Sequence, residues 1–441
     1  MKIVLILPHD STYWNAKGTF RRSLRYPPLT LSLLAGLVPA ELKAEVQIID
    51  EGVETLPLDL PADLVGITAL TATAPRAYAL ADQFRAQGIP VVLGGVHPTV
   101  LPEEAAQHAD AVVVGFGEEL WPQLLQDFAR GEMKEFYRSN GTINVSGLPL
   151  PRRDLLRKTA YLTLNTIIAT RGCPNSCRFC CIPVARQGHY YRRPVEDVLA
   201  EMKQMKGRRF IFLDPNLTGD VAYAKRLYRA IAPLGIKWVG LTTTSMMEDA
   251  ELVDLAVKSG CFGLLFGFET VSQEALCNAR KGFNHVNRYR DIIARLHDRG
   301  VSILGCFMFG FDPDDPSTFE RTVKFIDDSR IDLVRYTVFT PFPGTQVYDE
   351  LRKQGRIVDQ NWAHYNYEHV VFRPMGMSAE QLQAGIEWAW RETYRLPAIV
   401  RRISRTPLSR WETLIYNFGF RHHAMAVGQK KTNHNNREEM P

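Results

Sequence analysis

Three cysteines, Cys173, Cys177 and Cys180, fall within the eight residues Cys-Pro-Asn-Ser-Cys-Arg-Phe-Cys. Their C-x3-C-x2-C spacing offers three thiolates from one tight loop. A cubane [4Fe–4S] cluster normally has four cysteine ligands, so three leave one iron open to a small molecule. A zinc knuckle is the competing reading, but it needs a fourth ligand nearby. Cys181 is a poor fourth, because neighbouring side chains diverge, and no matching C-x2-C occurs elsewhere. Seven cysteines, three of them in one loop, do not resemble a disulfide framework. Thiolates that must stay reduced place the expectation in the cytoplasm.

The loop follows an apolar, β-prone stretch, Leu162 to Thr170, and is introduced by Arg171-Gly172, so it sits where a strand ends. Further strands are expected at 208–213, 237–243, 262–268, 301–309 and 333–339, with helices at about 195–206, 221–233, 249–259, 286–299 and 317–328. In such an alternation reactive groups gather at strand C-termini. Those ends carry Asp214 and Asn216, then Thr242, Thr244 and Ser245, then Glu269. A buried carboxylate such as Glu269 must meet a cation or hydroxyls. Threonines at a strand end also simply favour β structure.

Residues 1–135 alternate five short apolar runs (2–7, 45–49, 63–68, 90–93 and 110–114) with helical patterns at about 28–42, 74–87, 101–108 and 117–130. That pattern predicts a doubly wound parallel sheet, which binds ligands at the carboxyl ends of its strands. Three of those ends are built from small or turn residues: Thr68 to Thr73, Gly94-Gly95-Val96-His97-Pro98, and Gly115-Phe116-Gly117-Glu118. Neither G-x-G-x-x-G after the first strand nor G-x4-G-K-[ST] is present, so dinucleotide and nucleoside-triphosphate readings are weak.

The cysteine run and its setting resemble the radical SAM superfamily. The strand ends in front of it resemble the cobalamin-binding domain that precedes many such enzymes. The resemblance implies an N-terminal flavodoxin-like cobalamin-binding domain (1–135), a linker (136–160), a partial (β/α)6 radical SAM barrel (161–375) and a small helical C-terminal extension (376–441). It implies a cluster on Cys173, Cys177 and Cys180, with S-adenosylmethionine (SAM) at the open iron. Phe179 would lie along the adenine, unless it is a plain packing aromatic. Glu269, Thr242, Thr244 and Ser245 would contact SAM. Cobalamin would sit over Thr68, Thr71, Gly94, Gly95, His97, Gly115, Gly117 and Glu118. The D-x-H-x2-G segment that supplies a histidine to cobalt in one cobalamin pattern is missing, so His97 is expected beside the corrin or on a backbone group rather than on cobalt.

As that family works, one SAM donates a methyl to cobalamin. A second SAM is cleaved to a 5′-deoxyadenosyl radical that removes hydrogen from an unactivated carbon. The expected activity is therefore C-methylation. Rearrangement or oxidative cyclisation without methyl transfer is the alternative, and a cobalamin-binding carrier with a relic barrel is a third. An external electron donor such as flavodoxin or ferredoxin is implied. Cys306 lies on a barrel strand, but buried free cysteines are usually inert, and the same holds for Cys261 and Cys277. Tyr336, His364, Tyr365 and Tyr367 are candidates for orienting substrate.

Net charge is +5, and Arg391, Arg395, Arg401, Arg402, Arg405 and Arg410 crowd the C-terminal part, with Lys430 and Lys431 beyond. The segment 376–441 resembles the helical extension of family members that methylate hopanoids, and this resemblance, with Trp388, Trp390, Trp411 and the arginines, favours a lipid or other large apolar substrate and peripheral membrane contact, although a solvated helix face is the commoner cause of such charge. No apolar run reaches the roughly eighteen residues of a membrane span, and no RNA-binding domain is present, so no nucleic-acid partner is expected. In the extension, Ser378 and Gln381 form a plausible capping box ahead of Leu382, Ile386, Trp390 and Tyr394 on one side. From Gln429 onward the polar composition predicts disorder.

Overall fold

The computed structural model describes residues 1–9, 26–57, 59–161, 163–185, 188–404, 406 and 410–426. Leu162, Arg405 and the tail from Gln429 therefore lie outside the described residues. The chain forms two compact units: Met1–Asn216 with Pro341–Gly355 and Asp359–Asn366, and Leu217–Thr340 with Arg356–Val358 and the segment from Tyr367 onward.

The first unit contains the expected doubly wound sheet. Its strands are β1 (Lys2–Leu7), β2 (Glu45–Asp50), β3 (Leu64–Thr68), β4 (Val91–Gly94), β5 (Ala111–Val114) and β6 (Phe136–Arg138), all parallel in the order β2-β1-β3-β4-β5-β6. Successive side chains of a strand point to opposite faces. Val4, Ile6, Val65, Ile67 and Leu93 accordingly enter one core, and Ile3, Leu5, Leu64, Val92 and Val113 the other. Register sets Thr68 beside Gly94 at the carboxyl edge.

The sixth strand falls at the start of what reads as a linker. Three residues are too few to show a period, and Tyr137 is held there by donating its hydroxyl to Asp127 at 2.9 Å. Two of the expected helices are shorter than predicted. The first ends at Gly36, and the one expected at 101–108 is Pro102–Ala106, with an unpredicted short helix, Val96–Val100, ahead of it.

The strand expected over 162–170 is two short pieces, β7 (Thr166–Ile167) and β8 (Thr170–Arg171). β8 pairs antiparallel with β9 (Tyr191–Arg192), and β7 pairs parallel with β10 (Arg209–Phe212). Side chains serve the backbone at the break. Arg153 donates to Thr166 O at 2.6 Å and Arg193 to Ile168 O at 2.8 Å. Both guanidinium groups also meet buried Glu201, at 2.5 and 2.7 Å. Asp214, wholly buried, accepts from Ala169 N at 3.0 Å and from the Thr170 hydroxyl at 2.6 Å.

In the second unit β11 (Lys237–Thr242), β12 (Cys261–Glu269), β13 (Ser302–Phe309) and β14 (Leu333–Val338) run parallel and adjacent. The helices Ala250–Lys258, Tyr289–His297 and Thr318–Ser329 connect them. The C-terminal extension is helical: Ala379–Thr393, Leu396–Ile403 and Arg410–Ala426. Its first helix opens with the expected Ser378–Gln381 capping box, and Leu382, Ile386, Trp390 and Tyr394 are all buried. Tyr394 Oη donates to Val334 O at 2.7 Å and accepts from Val334 N at 2.9 Å, pinning the extension to β14. Among the described residues no helix is long and apolar enough to cross a membrane.

Candidate cofactor sites

The cysteine loop leaves β8 and returns on β9, so the pairs Thr170–Arg192 and Arg171–Tyr191 close its base. Gly172 makes that closure possible. Its φ is +84°, and an added Cβ would stand 2.1 Å from His189 O. Cys180 N donates to Cys177 O at 3.1 Å, turning the chain into the short helix Cys181–Ala185. None of the four cysteines here is in a disulfide, and all are half-buried.

Burial pushes the Cys180 thiol up to about 12, and neighbouring Cys181, Cys177 and Cys173 add to the effect. A thiolate there needs a metal to stabilise it. Among the described residues no three His, Cys, Asp or Glu side chains converge on one ion. A cubane instead spreads its thiolates over separate irons, so the donor set fits a cluster better than a single metal. Phe179 is half-buried, and its neighbour Arg178 forms an ion pair with Glu350.

At the carboxyl edge of the N-terminal sheet lies a pocket of about 170 Å³. Six of the eight residues expected at cobalamin line it: Thr68, Gly94, Gly95, Gly115, Gly117 and Glu118. Its walls include Leu5, Ile67, Val92, Val113 and Trp121. A space of this size holds part of a cobalamin and not the whole. At Gly95, with φ +104°, a Cβ would meet Ala69 O at 2.7 Å and Thr68 Oγ1 at 2.8 Å, so the loop stays open there only with glycine.

Thr71 and His97 are not on the lining. Thr71 is buried in the turn Thr71–Thr73. His97 is wholly buried, with Nε2 3.2 Å from Glu104 Oε1. That oxygen also accepts from Tyr78 Oη and Trp362 Nε1, each at 3.0 Å. Arg171 is the lining residue that sequence reasoning named only as a loop entrance. Its guanidinium lies 3.0 Å from Glu118, and its Nε has no partner.

In the second unit Glu269 closes β12 behind a register shift, at φ +66°. The cation its burial demands is Lys281, whose Nζ is 2.5 Å from Oε1. Lys281 lies beyond the helix Gln273–Asn278, and nothing in the spacing announces it. Asn284 ties the neighbouring strand ends together. It donates to Gly267 O at 2.9 Å and accepts from Thr244 Oγ1 at 2.6 Å.

Thr242 Oγ1 lies 2.5 Å from Thr218 Oγ1. Ser245 is exposed and bonded to Thr243 at 2.6 Å. Thr244 opens on a polar hollow with Glu248, His285 and Arg288. Cys306 lies beside Gly267 on β13, and burial pushes its thiol up to about 12, as for an inert core cysteine. Cys261 is buried too, but Cys277 is exposed and so is not the buried cysteine expected.

Tyr336 Oη is bonded to Thr393 at 2.6 Å, and Tyr365 donates to Asp359 O at 2.7 Å. Both are buried and serve the fold. His364 is held by Asp359 at 2.6 Å, and Tyr367 is exposed at φ +68°.

Residues 167–326 match the radical SAM superfamily and residues 21–125 the B12 binding domain. Bacteriochlorophyllide d C-12(1)-methyltransferase of Chlorobaculum tepidum is 33% identical over 394 residues, covering 87% of this chain and 86% of that protein. The C-8(2)-methyltransferase of the same organism is 31% identical over 392 residues, covering 82% and 86%. The anaerobic magnesium-protoporphyrin IX monomethyl ester cyclase of Rubrivivax gelatinosus is 25% identical over 403 residues, covering 81% and 72%. The solved cobalamin-dependent radical enzyme OxsB shares the fold, with a TM-score of 0.68 at 14% identity, covering 97% of this chain and 71% of that one. The chain belongs to the cobalamin-binding radical SAM enzymes. Its cofactors are those of that family: a [4Fe–4S] cluster, SAM and cobalamin.

Proposed function

We propose that this enzyme transfers a methyl group to an unactivated carbon on the periphery of a large, apolar substrate, a bacteriochlorophyllide-like tetrapyrrole rather than the lipid expected from the C-terminal extension. The observation that carries the reading is the 33% identity, over 86% of its length, to a methyltransferase acting on bacteriochlorophyllide d. When bound, the cluster supplies one-electron cleavage of SAM, and cobalamin carries the methyl group. The chain's own share is binding and orientation. Cys173, Cys177 and Cys180 hold the cluster. Thr68, Gly94, Gly95, Gly115, Gly117 and Glu118 receive cobalamin. Glu269, paired with Lys281, orients SAM with the hydroxyls of Thr242, Thr244 and Ser245. Electrons come from a small external donor such as flavodoxin or ferredoxin.

Oxidative cyclisation without methyl transfer is the second reading, supported by the 25% identity to the cyclase. Anaerobic turnover of bacteriochlorophyllide d with methyl-labelled SAM separates the two. Methyl transfer requires S-adenosylhomocysteine and 5′-deoxyadenosine in similar amounts, with label in the product. Deoxyadenosine and modified substrate without S-adenosylhomocysteine would establish the cyclase reading. An unmodified substrate would remove the tetrapyrrole assignment. Cys306→Ala should leave both products unchanged.

A further inference from the structure

The last helix of the extension, Arg410–Ala426, buries a polar seam and leaves apolar residues outside. Thr413 and Asn417 are buried, Asn417 fully so, beside Ala424 and Phe420, which stacks on Trp390 and Tyr394. Asn417 Oδ1 accepts from buried Arg402 at 2.6 Å, and its amide donates to Thr413 O at 2.9 Å. Arg402 also donates to Thr393 O at 3.1 Å. Four apolar residues point outward. Trp411, Ile415, Phe418 and Met425 are 76%, 62%, 42% and 50% exposed, with three of them at i, i+4 and i+7. The preceding helix, Leu396–Ile403, which packs against it, adds Leu396 and Val400 at 49% and 65%.

A polar seam bonded this specifically fixes which side of the helix faces outward, so the outward apolar stripe is a surface built to be covered. Charge selects the occupant. From Trp388 onward there are ten Lys and Arg against four Glu and no Asp, so this stretch carries more positive charge than the net +5 of the whole chain. A second copy of the chain would bring like charge against like charge. An aromatic and aliphatic stripe flanked by arginines is the pattern of a helix lying in the headgroup region of an anionic bilayer.

We propose that the helices Leu396–Ile403 and Arg410–Ala426 form a docking surface for an anionic lipid bilayer, with Trp411, Ile415 and Phe418 entering its interface. This surface is independent of which substrate the enzyme methylates.

The test is co-flotation of the reconstituted full chain with vesicles of phosphatidylcholine alone and of phosphatidylcholine mixed with phosphatidylglycerol. Binding is expected to the mixed vesicles, weakened by high salt. It should fall roughly tenfold or more in Trp411→Glu/Ile415→Glu, because two apolar anchors are lost. Cobalamin uptake and cluster absorbance of that variant should equal wild type, which shows that any loss of binding is not unfolding. Light scattering without lipid supplies the competing outcome. Absence of flotation with both vesicle types would overturn the proposal. So would a lipid-free dimer that the same two substitutions dissociate, since a second copy would then be the occupant.

Discussion

Arg171 and Glu118 form an ion pair at 3.0 Å on the lining of the first unit's pocket, with only 12% and 7% of their side chains exposed. Arg171 is two residues ahead of Cys173, and Glu118 is in the first turn of the helix that follows the fifth strand end. The entrance of the cysteine loop is thereby fastened to the rim of the pocket proposed for cobalamin.

Breaking that pair leaves a buried charge alone, at a cost of about 3–5 kcal/mol. Arg171→Gln should therefore lower thermal stability, and it should also weaken cobalamin binding measured by absorbance titration. In Arg171→Gln/Glu118→Gln no buried charge is stranded, so much of the stability should return. Two single-mutant losses that simply add in the double variant would show that the side chains do not interact.

Gly172→Ala places a methyl group 2.1 Å from a carbonyl oxygen, in a backbone conformation that favours glycine. Backbone cannot give way as a flexible side chain does, so the ladder at the base of the loop must open. The variant is expected to incorporate far less iron and sulfide on anaerobic reconstitution, while residues 1–138 still bind cobalamin. Normal iron content in Gly172→Ala would show that the ladder does not shape the loop.

Asp214 predicts a pH effect. Burial raises its carboxyl from 3.8 to about 6, against the lowering pull of its bonds to Thr170 and Ala169. Because the folded-state value lies above the unfolded one, its contribution is full below about pH 4 and is lost as pH rises through about 6. The change is on the order of 3 kcal/mol. Asp214→Asn cannot titrate, and its Nδ2 cannot accept the Ala169 N–H that reaches Asp214 Oδ2 at 3.3 Å, so it should be less stable than wild type at pH 4. The gap between wild type and variant in urea denaturation should shrink from pH 4 to pH 6.5 and then stay constant. A gap that widens with pH would mean that the carboxylate is held ionised.

The sheets were legible because their strands show as short apolar runs separated by helical stretches. Six of the eight residues expected at cobalamin line one pocket, because strand ends of glycine and threonine are where a parallel sheet opens. What sequence could not show was set by partners distant in the chain. The stretch 162–170 is apolar enough to read as a single strand, yet Arg153, Arg193 and Asp214 take over its backbone bonding and divide it, with Glu201 holding the two arginines. His97 sits among glycines in sequence, but Glu104 seven residues later draws it into the interior. The extension's outward tryptophan stripe was equally hidden, since periodicity cannot tell which face of a helix a buried asparagine will claim.

The pair formed by Glu269 and Lys281 allows stability and SAM binding to be separated. Glu269 Oε1 lies 2.5 Å from Lys281 Nζ, and the two side chains are 11% and 10% exposed. Gly267 leaves room for them, since a Cβ there would meet Oε1 at 2.3 Å and Nζ at 2.8 Å. Removing the carboxylate in Glu269→Ala strands a buried ammonium, which costs about 3–5 kcal/mol, whereas removing both charges strands nothing. Glu269→Gln/Lys281→Met should therefore be markedly more stable than either Glu269→Ala or Lys281→Met. If Glu269 also orients SAM, the stable double variant will still bind SAM weakly by equilibrium dialysis and form little 5′-deoxyadenosine. Lys281→Met alone leaves the carboxylate in place and should bind SAM better than the double variant does. A double variant that is stable and also binds and cleaves SAM like wild type would reduce the pair to a structural ion pair, and SAM's partner would have to be sought among Thr242, Thr244 and Ser245.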